Sequence, residues 1–125
     1  MTQKLKIMII DDENIVGRRL KPALEKTGAE VETFEDGESA LERFTKEPFD
    51  IVVTDIRMEK MDGLEVLERV LALSNRTKVI MITGYATVET ARDALSKGAF
   101  DFIAKPFKPD DLRTIIKRAA EELKT

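Results

Sequence analysis

A doubly wound, five-stranded parallel sheet, an α/β fold with helices on both faces, is the architecture this sequence predicts. Three observations carry it. Five strand-like runs alternate with five helix-like stretches, the first, third and fourth runs are unbroken in Val, Ile and Met, and the intervening helices carry one apolar stripe each. Unbroken runs belong to strands covered on both faces, and helical crossovers between successive strands place those covers.

The first strand falls at about 4–10, where KIMII leads into Asp11-Asp12. A helix over roughly 13–27 follows, with Ile15, Val16, Leu20, Ala23 and Leu24 as its apolar stripe and Gly28 as its C-terminal cap. A second strand at 30–34 leads to a helix at 37–46 that Pro48 ends. The third strand, 50–54, carries DIVV into Thr54-Asp55 and precedes a helix at 63–74. The fourth, 78–83, carries VIMI to Thr83, before a helix at 86–96 capped by Gly98. The fifth, 100–104, ends FIA at Lys105-Pro106. The last helix, 109–123, opens on Pro109, Asp110 and Asp111, residues its first turn tolerates or favours, and aligns Leu112, Ile115, Ile116, Ala119 and Leu123.

One domain over residues 1–125 is expected, since a chain of this length buries most of its apolar surface in one core. A net charge of -3, from 24 acidic and 21 basic residues spread along the chain, leaves no basic stripe for nucleic acid or a membrane surface. With no histidine and no cysteine, the chain has no imidazole acid-base chemistry, no Ser-His or Cys-His triad, no zinc finger and no disulfide frame. Any metal must therefore sit on oxygen, which favours magnesium, manganese or calcium. The apolar run before Asp11 is too short for a signal sequence or a membrane span, so a cytoplasmic location is expected.

In an open sheet of this kind, ligands bind beyond the carboxyl ends of the strands, and the chemically loaded residues all fall there. Asp11, Asp12 and Asp55 would bring up to three negative charges together, a strain relieved by protonation or by a bound cation. Magnesium suits that group because it takes one or two protein carboxylates and keeps sites for phosphate oxygens. Lys105 and Thr83 add an ammonium and a hydroxyl donor, completing a cradle for a tetrahedral anion in which Asp55 is the candidate nucleophile. Singly, each has an ordinary explanation: Asp12 as a helix cap, Asp11 as a turn residue, Asp55 as a loop cap, Thr83 as a cap of the fourth helix, Lys105 as a solvated side chain. Their joint placement on one edge of four strands is what points to a site. Met8, Met58, Met61 and Met81 read as packing or loop residues.

The Asp11-Asp12 pair, the DIRM…MDG segment from Asp55 to Gly63, Thr83-Gly84 and Lys105-Pro106-Phe107, in that order, resemble the response regulator receiver domain, the CheY-like module of two-component signalling. The resemblance runs from Lys4 to about Leu123 and implies a flavodoxin-like (βα)5 fold with strand order 2-1-3-4-5. It implies that Asp55 accepts a phosphoryl group. The magnesium shell would be Asp12, Asp55 and the backbone carbonyl of Arg57, with Asp11 acting mostly through water. Thr83 would be the switch hydroxyl, Lys105 the partner of the phosphoryl oxygens, and Phe102 the aromatic switch residue. The Lys105-Pro106 peptide would be cis, Gly63 would take a tight turn, and Gly84 would leave room beside the phosphoryl group. Arg57 and Tyr85 would tune phosphoryl lifetime. One departure is the Met58-Glu59-Lys60-Met61 segment, where many relatives have proline after the methionine.

By the same resemblance the partners are a histidine kinase or phosphotransfer protein and an output domain or effector. The output face is the one formed by the fourth helix, fifth strand and fifth helix, which is also a candidate dimer contact. The TGYATVETA and FDFIAKPF stretches resemble receivers attached to sigma-54-dependent transcriptional activators, which makes an activator's ATPase domain one candidate output. Two other readings stand beside this one. An aspartyl-phosphate phosphohydrolase of the haloacid dehalogenase type also uses a strand-end Asp and a lysine, but on a DxD spacing that the adjacent Asp11 and Asp12 do not give. A pseudo-receiver would bind partners without phosphorylation.

Overall fold

Five strands and five helices alternate in the computed structural model, which describes residues 4–84 and 87–124. They are β1 (Lys6–Ile10), α1 (Asn14–Glu25), β2 (Glu30–Phe34), α2 (Gly37–Lys46), β3 (Ile51–Asp55), α3 (Gly63–Leu73), β4 (Lys78–Thr83), α4 (Val88–Ser96), β5 (Asp101–Ala104) and α5 (Pro109–Leu123). All strand pairings are parallel, in the order β2-β1-β3-β4-β5. The unbroken apolar strands β1, β3 and β4 take the centre. The edges fall to β2 and β5, whose polar residues Glu30, Glu32 and Asp101 tolerate partial exposure.

Side chains alternate across the sheet with a period of two, and that alternation divides the core. Ile7 and Ile9 of β1, Ile51 and Val53 of β3, and Ile80 and Ile82 of β4 pack with Leu20 and Leu24 of α1 and with Leu112, Ile115, Ile116 and Ala119 of α5. Met8 and Ile10, Val52, and Val79 and Met81 face the other way, onto α2, α3 and α4. Met58 and Met61 are half-buried against this second cluster, so the methionines pack as expected. Three side-chain caps fix helix starts: Asp36, Asp62 and Thr87 accept from the backbone N–H of Ser39, Glu65 and Thr90. Gly28 and Gly98 end α1 and α4 at φ +94 and +104, a region that disfavours any residue with a Cβ.

Three details differ from the sequence reading. Ile15 is 56% exposed rather than part of the buried stripe. The buried positions of α1 are Gly17, Leu20 and Leu24, and at about 100° per residue Ile15 lies roughly 200° from Gly17, on the far side of the helix. The fourth helix begins at Val88 behind a Thr87–Thr90 capping box, and position 86 lies outside the described residues. Gly63 is a glycine because of close approach, not because of an unusual turn. It opens α3 with a φ in the ordinary range, and its N–H donates to the Ile56 carbonyl at 2.7 Å. A Cβ there would run into the Asp55 carbonyl oxygen and lie 2.8 Å from the Ile56 Cα.

Gly63→Ala therefore forces the backbone just after Asp55 to move, because backbone cannot rotate away as a side chain does. The expected loss is about 3 kcal/mol, the upper part of the range for overpacking, read as a lower urea midpoint at unchanged m-value. Gly84→Ala, whose Cβ meets nothing within 4 Å, is the control expected to change stability little.

Candidate functional site

The sheet's own hydrogen bonding carries the loaded residues to one edge. The Asp11 N–H donates to the Phe34 carbonyl at 3.0 Å, the Ile56 N–H to the Ile82 carbonyl at 2.9 Å, and the Lys105 N–H to the Thr83 carbonyl at 2.8 Å. These bonds extend the ladders by one residue past β1, β3 and β5, so the side chains that follow are set by sheet geometry rather than by free loops. Asp11, Asp55 and Lys105 continue the alternation of Ile9, Val53 and Ile103, which face α1 and α5. Thr83 and Phe102 continue that of Met81, which faces α3 and α4. The site thus straddles the end of the sheet.

Asp11, Asp12 and Asp55 each present an oxygen within 4.8 Å of the others. Asp11 and Asp55 are buried, at 2% and 5% exposure, while Asp12 is exposed. The Lys105 ammonium lies 2.9 Å from Asp11 Oδ2 and 3.1 Å from Asp55 Oδ2. The contact to Asp55 is an aligned hydrogen bond. The contact to Asp11 is an ion pair without that alignment, so Asp11 Oδ2 is buried with unspent acceptor capacity. Both inner carboxylates also hold their own loops: Asp11 Oδ1 accepts from the Glu13 N–H at 2.9 Å and Asp55 Oδ1 from the Arg57 N–H at 3.2 Å. The turn and loop-cap roles open to them from sequence are real, and coexist with the convergence.

Burial pushes the Asp11 carboxyl above its ordinary 3.8, and the Asp55 charge adds to that push. The Lys105 contact and the Glu13 N–H oppose it without cancelling it. For Lys105, burial alone favours loss of the proton, but its contacts with Asp11, Glu13 and Asp55 together outweigh burial and hold it well above the ordinary lysine range. The lysine is a fixed cation, not a proton donor.

Thr83 is buried at the end of β4, 1% exposed. Phe102 is half-buried against the cluster under α3 and α4. Arg57 is exposed, and Tyr85 lies outside the described residues. The Lys105–Pro106 peptide is cis. Neither Asp12 nor Thr83 is a helix cap: the residue before α1 is Glu13, whose side chain makes no capping bond, and the cap of α4 is Thr87.

Sequence reasoning missed two residues. Glu13, placed only as the start of a helix, puts Oε1 2.9 Å from the Lys105 Nζ, a contact spanning 92 residues. An acid directly after a pair of candidate ligands was the available signal. Thr54 is fully buried and donates to the Asp55 carbonyl at 3.1 Å, stiffening the strand end from behind. Three carboxylates, Asp11, Glu13 and Asp55, thus surround one ammonium, with Asp12 beside Asp11 and Asp55. The donor set is all hard oxygen, with one buried acceptor lacking an aligned donor, and it fits a divalent cation such as magnesium.

Comparison with known proteins follows this geometry closely. Residues 7–117 match the family described as the response regulator receiver domain. Over 121 residues, 97% of this chain, the sequence is 43% identical to the regulatory protein AtoC of Escherichia coli, of whose length the chain spans 26%. The fold overlays a CheY-like receiver domain protein from Methanospirillum hungatei with a TM-score of 0.93 at 34% identity, covering 98% of each chain. It also overlays the beryllofluoride-activated NtrC4 receiver domain dimer with a TM-score of 0.90 at 31% identity, covering 94% of this chain and 98% of that one.

Magnesium at about ten times its dissociation constant is expected to stabilise the domain by about 1.4 kcal/mol, seen as a rise of a few degrees in melting temperature. Asp12→Asn is expected to abolish that rise without lowering the metal-free melting temperature, because exposed Asp12 supports no contact of the fold. Protons compete with the ion for Asp11. Since its folded pKa is raised, the magnesium increment should begin to shrink, as pH falls, while still above 3.8.

Proposed function

Because the chain belongs to the response regulator receiver domain family, the signalling module of two-component systems, we propose that it is a phosphorylation-operated switch whose acceptor is Asp55. The observation that carries the proposal is the environment of that one side chain. Asp55 is buried, bonded through Oδ2 to Lys105 and through Oδ1 to the Arg57 N–H, and flanked by Asp11 and Asp12 at metal-sharing distance.

In the forward step an Asp55 carboxylate oxygen attacks the phosphorus of a phosphohistidine on a histidine kinase or phosphotransfer protein. The P–N bond breaks, the imidazole leaves with its electron pair, and an acyl phosphate remains on Asp55. In dephosphorylation water attacks phosphorus, the P–O bond to Asp55 breaks with its electron pair returning to the carboxylate, and inorganic phosphate leaves as the water's proton passes to it or to solvent. Asp11, Asp12, Asp55 and the Arg57 carbonyl would hold magnesium, or manganese, which would supply neutralising charge to the phosphoryl oxygens. Lys105 provides a permanent positive charge already in place beside Asp55, where charge develops. Thr83 donates its hydroxyl to a phosphoryl oxygen.

Replacing the carboxylate by an acyl phosphate adds about one negative charge at neutral pH and shifts a pre-existing equilibrium. Thr83 and Phe102 lie on the same face of the sheet, toward α4, and α4 is lightly attached. Its one fully buried residue is Ala94, while Val88 and Leu95 are 68% and 48% exposed. An element with so little buried surface moves at low cost. We assign the readout to the face of α4, β5 and α5, where an output domain, an effector or a second copy would dock, and we assign Arg57 and Tyr85 to setting phosphoryl lifetime. A transcriptional activator's ATPase domain is one such output. The phosphohydrolase reading has no support from the family match, and the adjacent Asp pair does not give its DxD spacing.

Incubation with acetyl phosphate and magnesium, followed by intact mass, is expected to show one added phosphoryl group, absent when magnesium is chelated and absent in Asp55→Asn. An equal mass gain in Asp55→Asn would remove Asp55 from its role. Steady turnover of a phosphomonoester would favour the hydrolase, and partner binding of Asp55→Asn at wild-type affinity with no response to phosphodonor would favour the pseudo-receiver. Thr83→Ala should still gain the phosphoryl group yet lose most of the coupled change at Phe102, read by amide chemical shifts.

A further inference from the structure

We propose that Glu13 is a positioning residue that occupies Lys105 in the unmodified protein and is displaced by the phosphoryl group, an inference that rests on the switch reading above. Three carboxylates crowd the ammonium: Asp11 at 2.9 Å as an ion pair, and Glu13 at 2.9 Å and Asp55 at 3.1 Å as aligned hydrogen bonds. A phosphoryl oxygen that is to be held by Lys105 must take the place of one of them.

The three are not equally replaceable. Asp11 is buried, and releasing its charge from the ammonium would leave it without compensation in a low dielectric. Asp55 is the group being modified and brings the phosphoryl oxygens with it. Glu13 is 62% exposed in its side chain, so its carboxylate passes to water with little desolvation to undo. Its position also frees it: Glu13 stands at the N-cap of α1 but makes no capping bond, so no helix start depends on where its side chain points. It rises from the helix that covers the same sheet face as Asp55 and Lys105 and reaches the ammonium from outside.

Two consequences follow. In the unmodified state Glu13 keeps Lys105 aligned over the pocket rather than extended into solvent. In the modified state its carboxylate both competes for the ammonium and repels the anionic group, so it lowers the affinity of the site for any phosphoryl-like anion.

The test is beryllofluoride affinity, measured by fluorimetry or amide shifts at magnesium concentrations saturating each protein. Glu13→Gln removes the charge at constant shape. It is expected to bind beryllofluoride about three- to tenfold more tightly than wild type, the range set by loss of one exposed ion pair plus one like-charge repulsion. Its melting temperature should stay within a few degrees of wild type. In a Lys105→Met background, Glu13→Gln is expected to change the affinity much less, since the residue acts through the ammonium. An unchanged affinity in Glu13→Gln, or an equal gain with Lys105 absent, overturns the inference while leaving the switch intact. A wild-type protein that takes up no beryllofluoride overturns both.

Discussion

Asp11 and Asp55 are held nearly out of water with oxygens within 4.8 Å of each other, and the Lys105 ammonium lies against both. Two like charges at that separation cost several kcal/mol in a partly buried setting unless a cation lies between them. The backbone of the lysine is fixed at this edge, because its own N–H is bonded to the Thr83 carbonyl and so belongs to the sheet. A single interaction therefore ties β1, β3 and β5 together at their carboxyl ends. The compensation is incomplete, with Asp11, Glu13 and Asp55 around one ammonium and Asp12 beside two of them. That deficit of positive charge would favour a divalent ion.

The two-sidedness of the sheet explains how such a site could report its state. Asp11, Asp55 and Lys105 share the face covered by α1 and α5, whereas Thr83 and Phe102 share the face under α3 and α4. Chemistry on one side and movement on the other meet only at the strand ends, where Thr83 stands at the rim. The core beneath is dense with fully buried Val, Ile and Met. Freedom is concentrated in α4, which buries little and exposes Val88 and Leu95.

Much of this was legible in the sequence because strand order and strand chemistry are encoded together. Apolar runs in β1, β3 and β4 marked the buried strands, and the polar residue ending each run marked the edge where ligands bind. Glu13 was not legible: its role depends on Lys105, 92 residues away, and locally it is an ordinary acid before a helix. Ile15 misled because an apolar residue near a helix start resembles the stripe until the helical angle is fixed by Gly17, Leu20 and Leu24. For Gly63 the residue type signalled a turn, whereas the cause is the backbone of Asp55 passing against it, a long-range contact invisible to local propensity.

The account turns on which oxygen carries the phosphoryl group, and borohydride trapping reads that atom directly. Reduction of an acyl phosphate converts the modified aspartate to homoserine, which tandem mass spectrometry locates in the sequence. After treatment with phosphodonor and magnesium, homoserine is expected at position 55 alone. Homoserine at position 11 or 12, or a phosphorylated protein that yields none, would contradict the assignment of Asp55 and with it the charge arrangement built around Lys105.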